Sequence, residues 1–290
     1  MGNRSSDTRS RSNGNQEYAL DDLAVAHMAC DAARRAILPW FRMGGMAVDT
    51  KGTKQFDPVT EADRGAERAM RAVLTKLRPD DAILGEEYGE TQGKYGKSGK
   101  YGKSGRVWTI DPIDGTRSFI SGLVHWGTLL SLSIQDKSVL GVFDQPYIGE
   151  RFIGFEGESY LEHGNNPKIA LQVRNAGQLE NAILVASTPD MFALPGEWDA
   201  FMRVSSRVKM TRFGSESAGY ALLAAGCIDL VIEANLQAYD IRAHIPIIEN
   251  AGGIVTNWDG GSAHDGGRII GAGDRKMHEA ALNHLAFSEC

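Results

Sequence analysis

Two stretches in the first third of the chain carry apolar residues at helical spacing. The first runs over about Leu20–Leu38 and stops before Pro39, which cannot continue a helix. The second runs over Arg64–Leu77, and a proline two residues later closes it. Just ahead of it, Thr60 and Asp63 have the spacing of a capping box, with Asp in place of Glu or Gln. The pattern therefore predicts two amphipathic helices.

Alternating apolar and polar residues predict strands in the middle of the chain, and the second half alternates strands with helices. Three successive antiparallel strands are expected at Thr128–Ile134, Val139–Phe143 and Arg151–Phe155. The elements predicted after them are a strand at Ala182–Ala186, a helix at Gly214–Ala225, a strand at Ile228–Glu233, a helix at Ile241–Ala251, strands at Gly253–Thr256 and Ile269–Gly271, and a helix at Arg275–Leu285. This order indicates a layered α/β (α+β) fold with helices packed between sheets.

The composition fits one large globular unit or two domains in close contact. The chain has 290 residues, of which 42% are hydrophobic, and its formal net charge of -6 favours a globular protein over a nucleic-acid binder, which would need a basic face. No apolar segment is long enough to span a bilayer, and the three cysteines lack a recognisable pattern, which fits a reducing, cytoplasmic compartment. We expect a single unit over residues 17–290, with an α+β half at about 17–180 and an α/β half at about 181–290.

Two polar segments are expected to lie outside this packed unit. Residues 1–16 are rich in Arg, Ser, Asn and Gly, which favours a disordered tail over a myristoylation signal in MGNRSS or a transit peptide. Residues Gly93–Ser104 contain two copies of the hexamer GKYGKS, which is typical of a mobile surface loop. For this insert, a cationic flap over an anionic substrate or a Tyr and Lys contact for nucleic acid stays open as an alternative.

The segment Trp108–Ser121, WTIDPIDGTRSFIS, carries the strongest candidate chemistry. Asp111 and Asp114 follow an apolar strand, and Pro112 between them is expected to turn the chain out of the strand, so that both carboxylates face one point. Gly115 permits a backbone conformation that other residues avoid, and the next residues are expected to begin a helix whose free N–H groups favour an anion. An ordinary turn built from Pro and Asp-Gly is the alternative.

Three further acids stand at comparable positions. Glu86 follows the apolar run Ala82–Gly85, and Asp63 lies in the first turn of a predicted helix. Asp240 is expected to precede the helix Ile241–Ala251. Each alone has a simple explanation, as a solvated acid, a favourable charge in a first helical turn or an N-cap. Convergence on one crevice explains all of them together and predicts a site for hard cations and phosphate.

These segments resemble the inositol monophosphatase superfamily of lithium-sensitive, magnesium-dependent phosphomonoesterases over roughly Asp57–Thr256. The resemblance rests on the GEE segment, the DPIDGT segment and the late Asp before a helix and Gly-Gly. It implies an αβαβα sandwich, a homodimer, and direct attack of water on phosphorus with two or three Mg²⁺ ions, for which Mn²⁺ can substitute. Thr116 with Asp63 would polarise the water, and the N–H groups of Gly115 and Thr116 would hold phosphate. The implied metal ligands are Glu86, Asp111, the Ile113 carbonyl, Asp114 and Asp240.

Within the superfamily, the segments GTRSFISG and YDIRAHIPIIENAGG are more similar to the histidinol-phosphate phosphatase branch than to the inositol branch. Ser215–Ser217 departs from the Gly-Asp-Cys run that is common in that branch. The expected substrate is L-histidinol phosphate, an ester of histidine biosynthesis. Its alternatives are inositol-1-phosphate or a related sugar or nucleotide phosphate, and a non-catalytic binding protein of the same fold.

Two residues are expected to contact the substrate beyond its phosphate. Glu233 ends an apolar strand and matches a family residue at the alcohol portion of the ester, where an anion complements the amine of histidinol. A strand-end Glu facing solvent is the alternative. Arg212 is assigned as a second substrate contact. The expected partner is thus a small phosphate ester, with neither nucleic acid nor membrane.

Overall fold

The computed structural model describes residues 21–43, 48–50, 58–93 and 104–286. Its helices are α1 (Asp22–Ile37), α2 (Glu61–Leu77), α3 (Thr116–Ile120), α4 (Glu197–Ser205), α5 (Ala218–Ala224), α6 (Ala238–Ile241), α7 (His244–Asn250) and α8 (Arg275–Leu285). Its strands are β1 (Val48–Thr50), β2 (Pro58–Thr60), β3 (Ala82–Gly85), β4 (Gly89–Thr91), β5 (Arg106–Asp114), β6 (Gly127–Ile134), β7 (Lys137–Gln145), β8 (Glu150–Phe155), β9 (Glu158–His163), β10 (Ile169–Ala170), β11 (Ile183–Ala186), β12 (Met210–Phe213), β13 (Leu230–Leu236), β14 (Ile254–Asn257) and β15 (Gly267–Ala272). The expected N-terminal tail and most of the hexamer repeat lie outside the described residues.

The larger sheet has eight strands in the order β10-β9-β8-β7-β6-β5-β3-β4. Strands β5 to β10 form an antiparallel meander, whereas β3 lies parallel to β5 and β4 returns antiparallel beside β3. The three antiparallel strands expected from the sequence are present as β6, β7 and β8, and each extends beyond its expected bounds. A separate pair, β1 and β2, is antiparallel.

The smaller sheet has five strands in the order β12-β11-β13-β15-β14. Strands β12, β11 and β13 are parallel, and β15 is antiparallel to both of its neighbours, β13 and β14. No helix within the described ranges combines the length and apolar character needed to cross a bilayer.

Consecutive residues of the central strands belong to different cores, which makes the fold layered. In the larger sheet, Leu130 packs in a core with α1 and α2, whereas its neighbour Leu129 packs with α5 and α7. In the smaller sheet, Val231 packs with the same central helices, while Ile232 packs with α4 and α8. Side chains alternate along a strand, so each sheet is covered by helices on both faces. The resulting order is the αβαβα arrangement that the family resemblance implied, and it agrees with the layered fold that the element order indicated.

The central helix layer lies very close to the larger sheet. A Cβ added to Gly154 of β8 would overlap the backbone N of Ile247 in α7. A Cβ added to Gly141 of β7 would overlap the carbonyl O of Ala243 at the start of the same helix. Glycine at these two strand positions therefore allows α7 to approach the sheet backbone directly. Because α6 and α7 are joined end to end, this contact also fixes the segment that carries Asp240.

Candidate metal and phosphate site

A bulge at the end of β5 brings two acids to one side of the larger sheet. Asp111 pairs with Leu129 of β6 and Asp114 pairs with Gly127, so that three steps along β5 oppose two along β6. Residues three apart in a regular strand point to opposite faces. The extra residue of the bulge turns the side chain of Asp114 to the same face as that of Asp111. The expectation that Pro112 ends the strand was wrong, since β5 continues to Asp114. The bulge makes the proline tolerable because it disrupts the ladder locally.

Carboxylates from four separate segments meet beside this bulge. Asp63 comes from the first turn of α2, Glu86 directly follows β3, and Asp240 lies in α6. They form two groups, in each of which one carboxylate oxygen per residue lies within 4.8 Å of the others. The groups are Asp63, Glu86 and Asp111, and Asp111, Asp114 and Asp240. We call these five residues the acidic cluster, and Asp111, which belongs to both groups, is its centre.

Asp240 lies inside a helix rather than ahead of one. The single helix expected at Ile241–Ala251 is instead divided into α6 and α7. The break is explained by Pro246, which has no N–H to donate to the carbonyl of Arg242 one turn earlier. Asp240 is the third residue of α6, and its Oδ2 accepts a hydrogen bond of 2.6 Å from the backbone N of Gln237, the N-cap of that helix.

Burial raises the pKa values of three members of the acidic cluster, and the charges of nearby acids add to the rise. The pKa of Asp111 lies well above its ordinary value, first because of burial and then because of four nearby acids, of which Glu86 has the largest effect. Burial and the charge of Asp114 likewise raise the pKa of Asp240 well above its ordinary value. Burial raises the pKa of Asp114 to about 6, although hydrogen bonds from Ser217 oppose the rise. The negative charges of these carboxylates therefore destabilise the site when no cation is bound.

A divalent cation fits this arrangement of atoms. Oδ1 of Asp111 is buried and has no hydrogen-bond partner within the part of the chain that the structure describes. Buried acceptors are normally satisfied, and a cation among the carboxylates would both satisfy this oxygen and neutralise the repulsion. The side chains of the two groups offer only oxygen, the donor that hard ions such as Mg²⁺ and Mn²⁺ prefer.

The raised pKa values predict how the stability of the metal-free protein depends on pH. A carboxyl whose pKa is higher in the folded state binds more protons there than in the unfolded state, so stability falls as pH rises through that window. For Asp114 the window runs from 3.8 to about 6, and the raised pKa values of Asp111 and Asp240 change stability in the same direction. In EDTA, we expect the melting temperature to fall between pH 5 and pH 7. Mn²⁺ should raise the melting temperature more at pH 7 than at pH 5. Calorimetry at both pH values measures this difference, and an equal rise at the two pH values would contradict the prediction.

The residues expected to hold phosphate lie next to the bulge. Gly115 has a left-handed backbone with a φ of 80° and is the N-cap of α3. Thr116 is the first residue of that helix, and its Oγ1 donates a hydrogen bond of 3.0 Å to the carbonyl of Ile113. The structure thus places this hydroxyl and this carbonyl directly beside Asp114. Their roles toward metal, water and phosphate remain predictions.

The two residues expected to contact the rest of the substrate lie in different surroundings. Glu233 is 2% exposed and lies within β13, so both its expected place at a strand end and the solvent-facing alternative were wrong. Its Oε1 accepts a hydrogen bond of 2.9 Å from the backbone N of Ser187 and another from the Ser187 hydroxyl. Burial raises the pKa of Glu233 to about 7, and the charge of Asp114 contributes. Arg212 is exposed on the outer strand β12, and its role remains a prediction.

A distant segment of the chain, Ser215–Ser217, which the sequence did not identify, forms hydrogen bonds beside the acidic cluster. The backbone N of Ser217 donates a hydrogen bond of 3.0 Å to Oδ2 of Asp114. Nearby, the Ser118 hydroxyl donates one of 3.0 Å to Oε1 of Glu216, whose φ of 46° is left-handed. In the sequence, Ser215–Ser217 is visible only as a departure from a family pattern. No side-chain pattern marks a backbone donor, so this contact follows only from the fold.

Comparisons with known proteins identify a family and several relatives of this chain. A profile described as the inositol monophosphatase family matches residues 21–289. The bifunctional phosphatase IMPL2, chloroplastic, of Arabidopsis thaliana is 36% identical over 91% of this chain and 75% of its own length. A histidinol-phosphatase of Streptomyces coelicolor is 31% identical over 92% of this chain and 97% of its own.

Solved structures give the same result. The structure of an inositol monophosphatase from Zymomonas mobilis superposes with a TM-score of 0.75 at 34% identity, over 91% of this chain and 97% of that one. The family profile spans both sheets and every segment that contributes to the acidic cluster. This chain is therefore a member of the inositol monophosphatase family.

Proposed function

We propose that this protein is a Mg²⁺-dependent phosphomonoesterase that hydrolyses L-histidinol phosphate to L-histidinol and phosphate. The observation that carries the proposal is the acidic cluster, in which two groups of carboxylates share the buried Asp111 of β5. Family membership supports the phosphatase chemistry. The histidinol-phosphatase of Streptomyces coelicolor supports the substrate, as does the buried carboxylate of Glu233. Inositol-1-phosphate is the second candidate, favoured by the likeness to the Zymomonas mobilis enzyme.

The chain's own residues would hold the cations and the phosphate group. The chain would bind the cations through the carbonyl of Ile113 and the carboxylates of Glu86, Asp111, Asp114 and Asp240. When bound, the cations supply positive charge to the phosphoryl oxygens and lower the pKa of water. The left-handed turn at Gly115 directs the N–H groups of Gly115 and Thr116 to the phosphate oxygens. These groups fix the ester so that its leaving oxygen lies opposite the attacking water.

Thr116 and Asp63 would orient the attacking water and receive its proton. The Thr116 hydroxyl donates to the Ile113 carbonyl and so keeps its lone pairs available to accept a hydrogen bond from water. Asp63 is 1% exposed, and in such a dry setting its charge acts strongly on a nearby proton. Water then forms a bond to phosphorus as the bond to the ester oxygen breaks, and the leaving alcohol takes up a proton. No covalent enzyme intermediate is required.

Phosphate release from a panel of esters tests the proposal. The panel contains L-histidinol phosphate, inositol-1-phosphate, fructose bisphosphate and a nucleoside 3'-phosphate, each with Mg²⁺ and with or without Li⁺. We expect the highest kcat/KM for L-histidinol phosphate, and inhibition by Li⁺. A higher value for inositol-1-phosphate would favour the second candidate. Absence of release from every ester would refute a phosphatase and leave a binding protein.

Replacing Glu233 by glutamine is expected to raise KM for L-histidinol phosphate at least about tenfold at pH 8, because a hydrogen bond to a charged group contributes about 1.5–3 kcal/mol. Glutamine keeps the size of the side chain and still accepts from Ser187, but it carries no charge for the ammonium group. KM for inositol-1-phosphate, whose alcohol is neutral, should change little. Steady-state kinetics on both esters measure the difference, and equal increases in the two KM values would contradict the assignment.

The same assignment predicts a pH dependence for the wild-type protein. The pKa of Glu233 is raised to about 7, so its carboxyl is protonated below that pH and charged above it. KM for L-histidinol phosphate should therefore fall between pH 6 and pH 8, while the Glu233→Gln variant, which cannot ionise there, should lack this fall.

A further inference from the structure

A polar stripe on α2 links the acidic cluster to the turn that carries Glu86. Asp63, Glu67 and Arg71 are spaced four residues apart, so their side chains lie on one face of the helix. Asp63 belongs to the acidic cluster, and Glu67, one turn further on, is fully buried. Burying a carboxylate is costly unless hydrogen bonds and an opposite charge satisfy it. The contacts of Glu67 therefore indicate what it does.

Glu67 binds the backbone of the turn that follows β3. Its Oε2 accepts a hydrogen bond of 2.7 Å from the Glu87 N, and its Oε1 accepts one of 3.3 Å from the Tyr88 N. A Cβ on Gly85 would overlap the Glu67 carboxylate, so the close approach depends on glycine at that position. Glu86 lies between Gly85 and the two bound amides. These contacts fix the backbone from which the Glu86 side chain projects into the cluster.

Arg71 completes the arrangement from the next turn of α2. Its Nε donates a hydrogen bond of 2.7 Å to Oε1 of Glu67, and its Nη1 donates one of 2.8 Å to Oγ1 of Thr91. Its Nη2 donates to the carbonyl of Gly89. The guanidinium thus balances the buried charge and ties β4 to the same helix. Glu67 and Arg71 together hold the hairpin of β3 and β4 in a fixed position on α2.

We propose that Glu67 is a positioning residue that sets the affinity of the acidic cluster for divalent cations. It acts through the backbone of the Gly85–Tyr88 turn and does not itself touch cation or substrate. Because α2 also supplies Asp63, one helix fixes two members of the group Asp63, Glu86 and Asp111 relative to each other. This inference rests on the proposed function, which assigns Glu86 and Asp111 of that group to metal binding. Residues that orient metal ligands typically change metal affinity by about 10- to 100-fold when they are replaced.

Equilibrium binding of Mn²⁺ to the full-length protein, followed by the paramagnetic resonance of free Mn²⁺, tests this role. In Glu67→Ala we expect the dissociation constant to rise about 10- to 100-fold. Glu67→Gln keeps the side-chain volume and one acceptor, and should show a smaller rise in the same direction. The Mg²⁺ concentration needed for half-maximal activity should rise in parallel, with little change in kcat at saturating Mg²⁺.

Leu74→Ala is the matched control, because Leu74 is a fully buried apolar residue of the same helix, in the core shared with α1. It should weaken the packing of α2 and leave Mn²⁺ affinity unchanged. Equal affinities in wild type, Glu67→Gln and Leu74→Ala would overturn the positioning role and leave the proposed function intact. Failure of the wild-type protein to bind Mn²⁺ would overturn the proposed function and this role with it. If Glu67→Ala does not fold, circular dichroism identifies this, and Glu67→Gln decides the matter.

Discussion

Asp111→Asn is expected to abolish phosphate release and, at the same time, to raise the melting temperature of the metal-free protein. Asp111 is the residue shared by both carboxylate groups, so its loss weakens both candidate cation positions. Cations supply several kcal/mol of transition-state stabilisation and each 1.36 kcal/mol is tenfold in rate, which predicts a loss of about 10³-fold or more. In EDTA, the neutral amide removes a charge that burial and neighbouring acids destabilise. The melting temperature should then rise by about 2–4 °C for each kcal/mol gained.

Asp144→Asn provides the matched control for this experiment. Asp144 is also fully buried, but its Oδ1 accepts hydrogen bonds of 2.7 Å from Arg34 and 2.9 Å from Arg151. Breaking a buried ion pair of this kind costs about 3–5 kcal/mol, so the same chemical change should lower the melting temperature. A phosphate-release assay and thermal scans in EDTA at pH 8 measure both effects. Lower stability of metal-free Asp111→Asn, or activity near that of wild type, would show that the cluster is not a cation site.

Thr116→Ala is expected to reduce kcat by about 10²- to 10⁴-fold, the range that a positioned proton-transfer group contributes. The Thr116 hydroxyl is fixed by its hydrogen bond to the Ile113 carbonyl, beside the two acids of the β5 bulge. Its removal leaves the carboxylates in place, so cation binding should survive and a measurable rate should remain. KM should change little because the phosphate is held through backbone N–H groups, which alanine retains.

Thr116→Ser separates the hydroxyl from the rest of the side chain. Serine keeps the donor and acceptor while losing only the methyl group, so kcat should stay close to that of wild type. Steady-state kinetics of the three proteins at saturating Mg²⁺ provide the measurement. If alanine and serine had the same effect, the methyl group or the packing of α3, and not the hydroxyl, would be responsible.

Elements with strong local signals could be predicted from the sequence. Helix α8 covers Arg275–Leu285 as expected, because Asp274 accepts a capping hydrogen bond from the backbone and Met277, Ala281 and Leu285 repeat every four residues on its buried side. The acids of the cluster could be identified for a similar reason. Each follows an apolar run or opens a helix, and convergence of such positions on one crevice was the interpretation that agrees with the two carboxylate groups.

Elements that depend on distant contacts could not be predicted. Helix α4 was not expected, since its nine residues present too short a pattern of apolar positions, which are Ala200, Phe201 and Val204. Strand β12 forms the outer edge of the smaller sheet with mostly exposed side chains, and therefore lacks alternation. In the site, too, the features that depend on distant contacts could not be predicted. The positions of Asp111 and Asp114 relative to each other depend on pairing with β6, and the burial of Glu233 depends on its contact with Ser187.

The extra residue between Asp111 and Asp114 matters for tracing enzymatic activity through evolution. A homologue with one additional residue in β6 opposite this segment would pair without the bulge. It could keep all its acids, yet its second carboxylate would point to the opposite face of the sheet. Counting conserved acids would class such a homologue as an active enzyme. The position of gaps in an alignment is therefore the better guide to which descendants still hydrolyse esters and which have kept the architecture for another purpose.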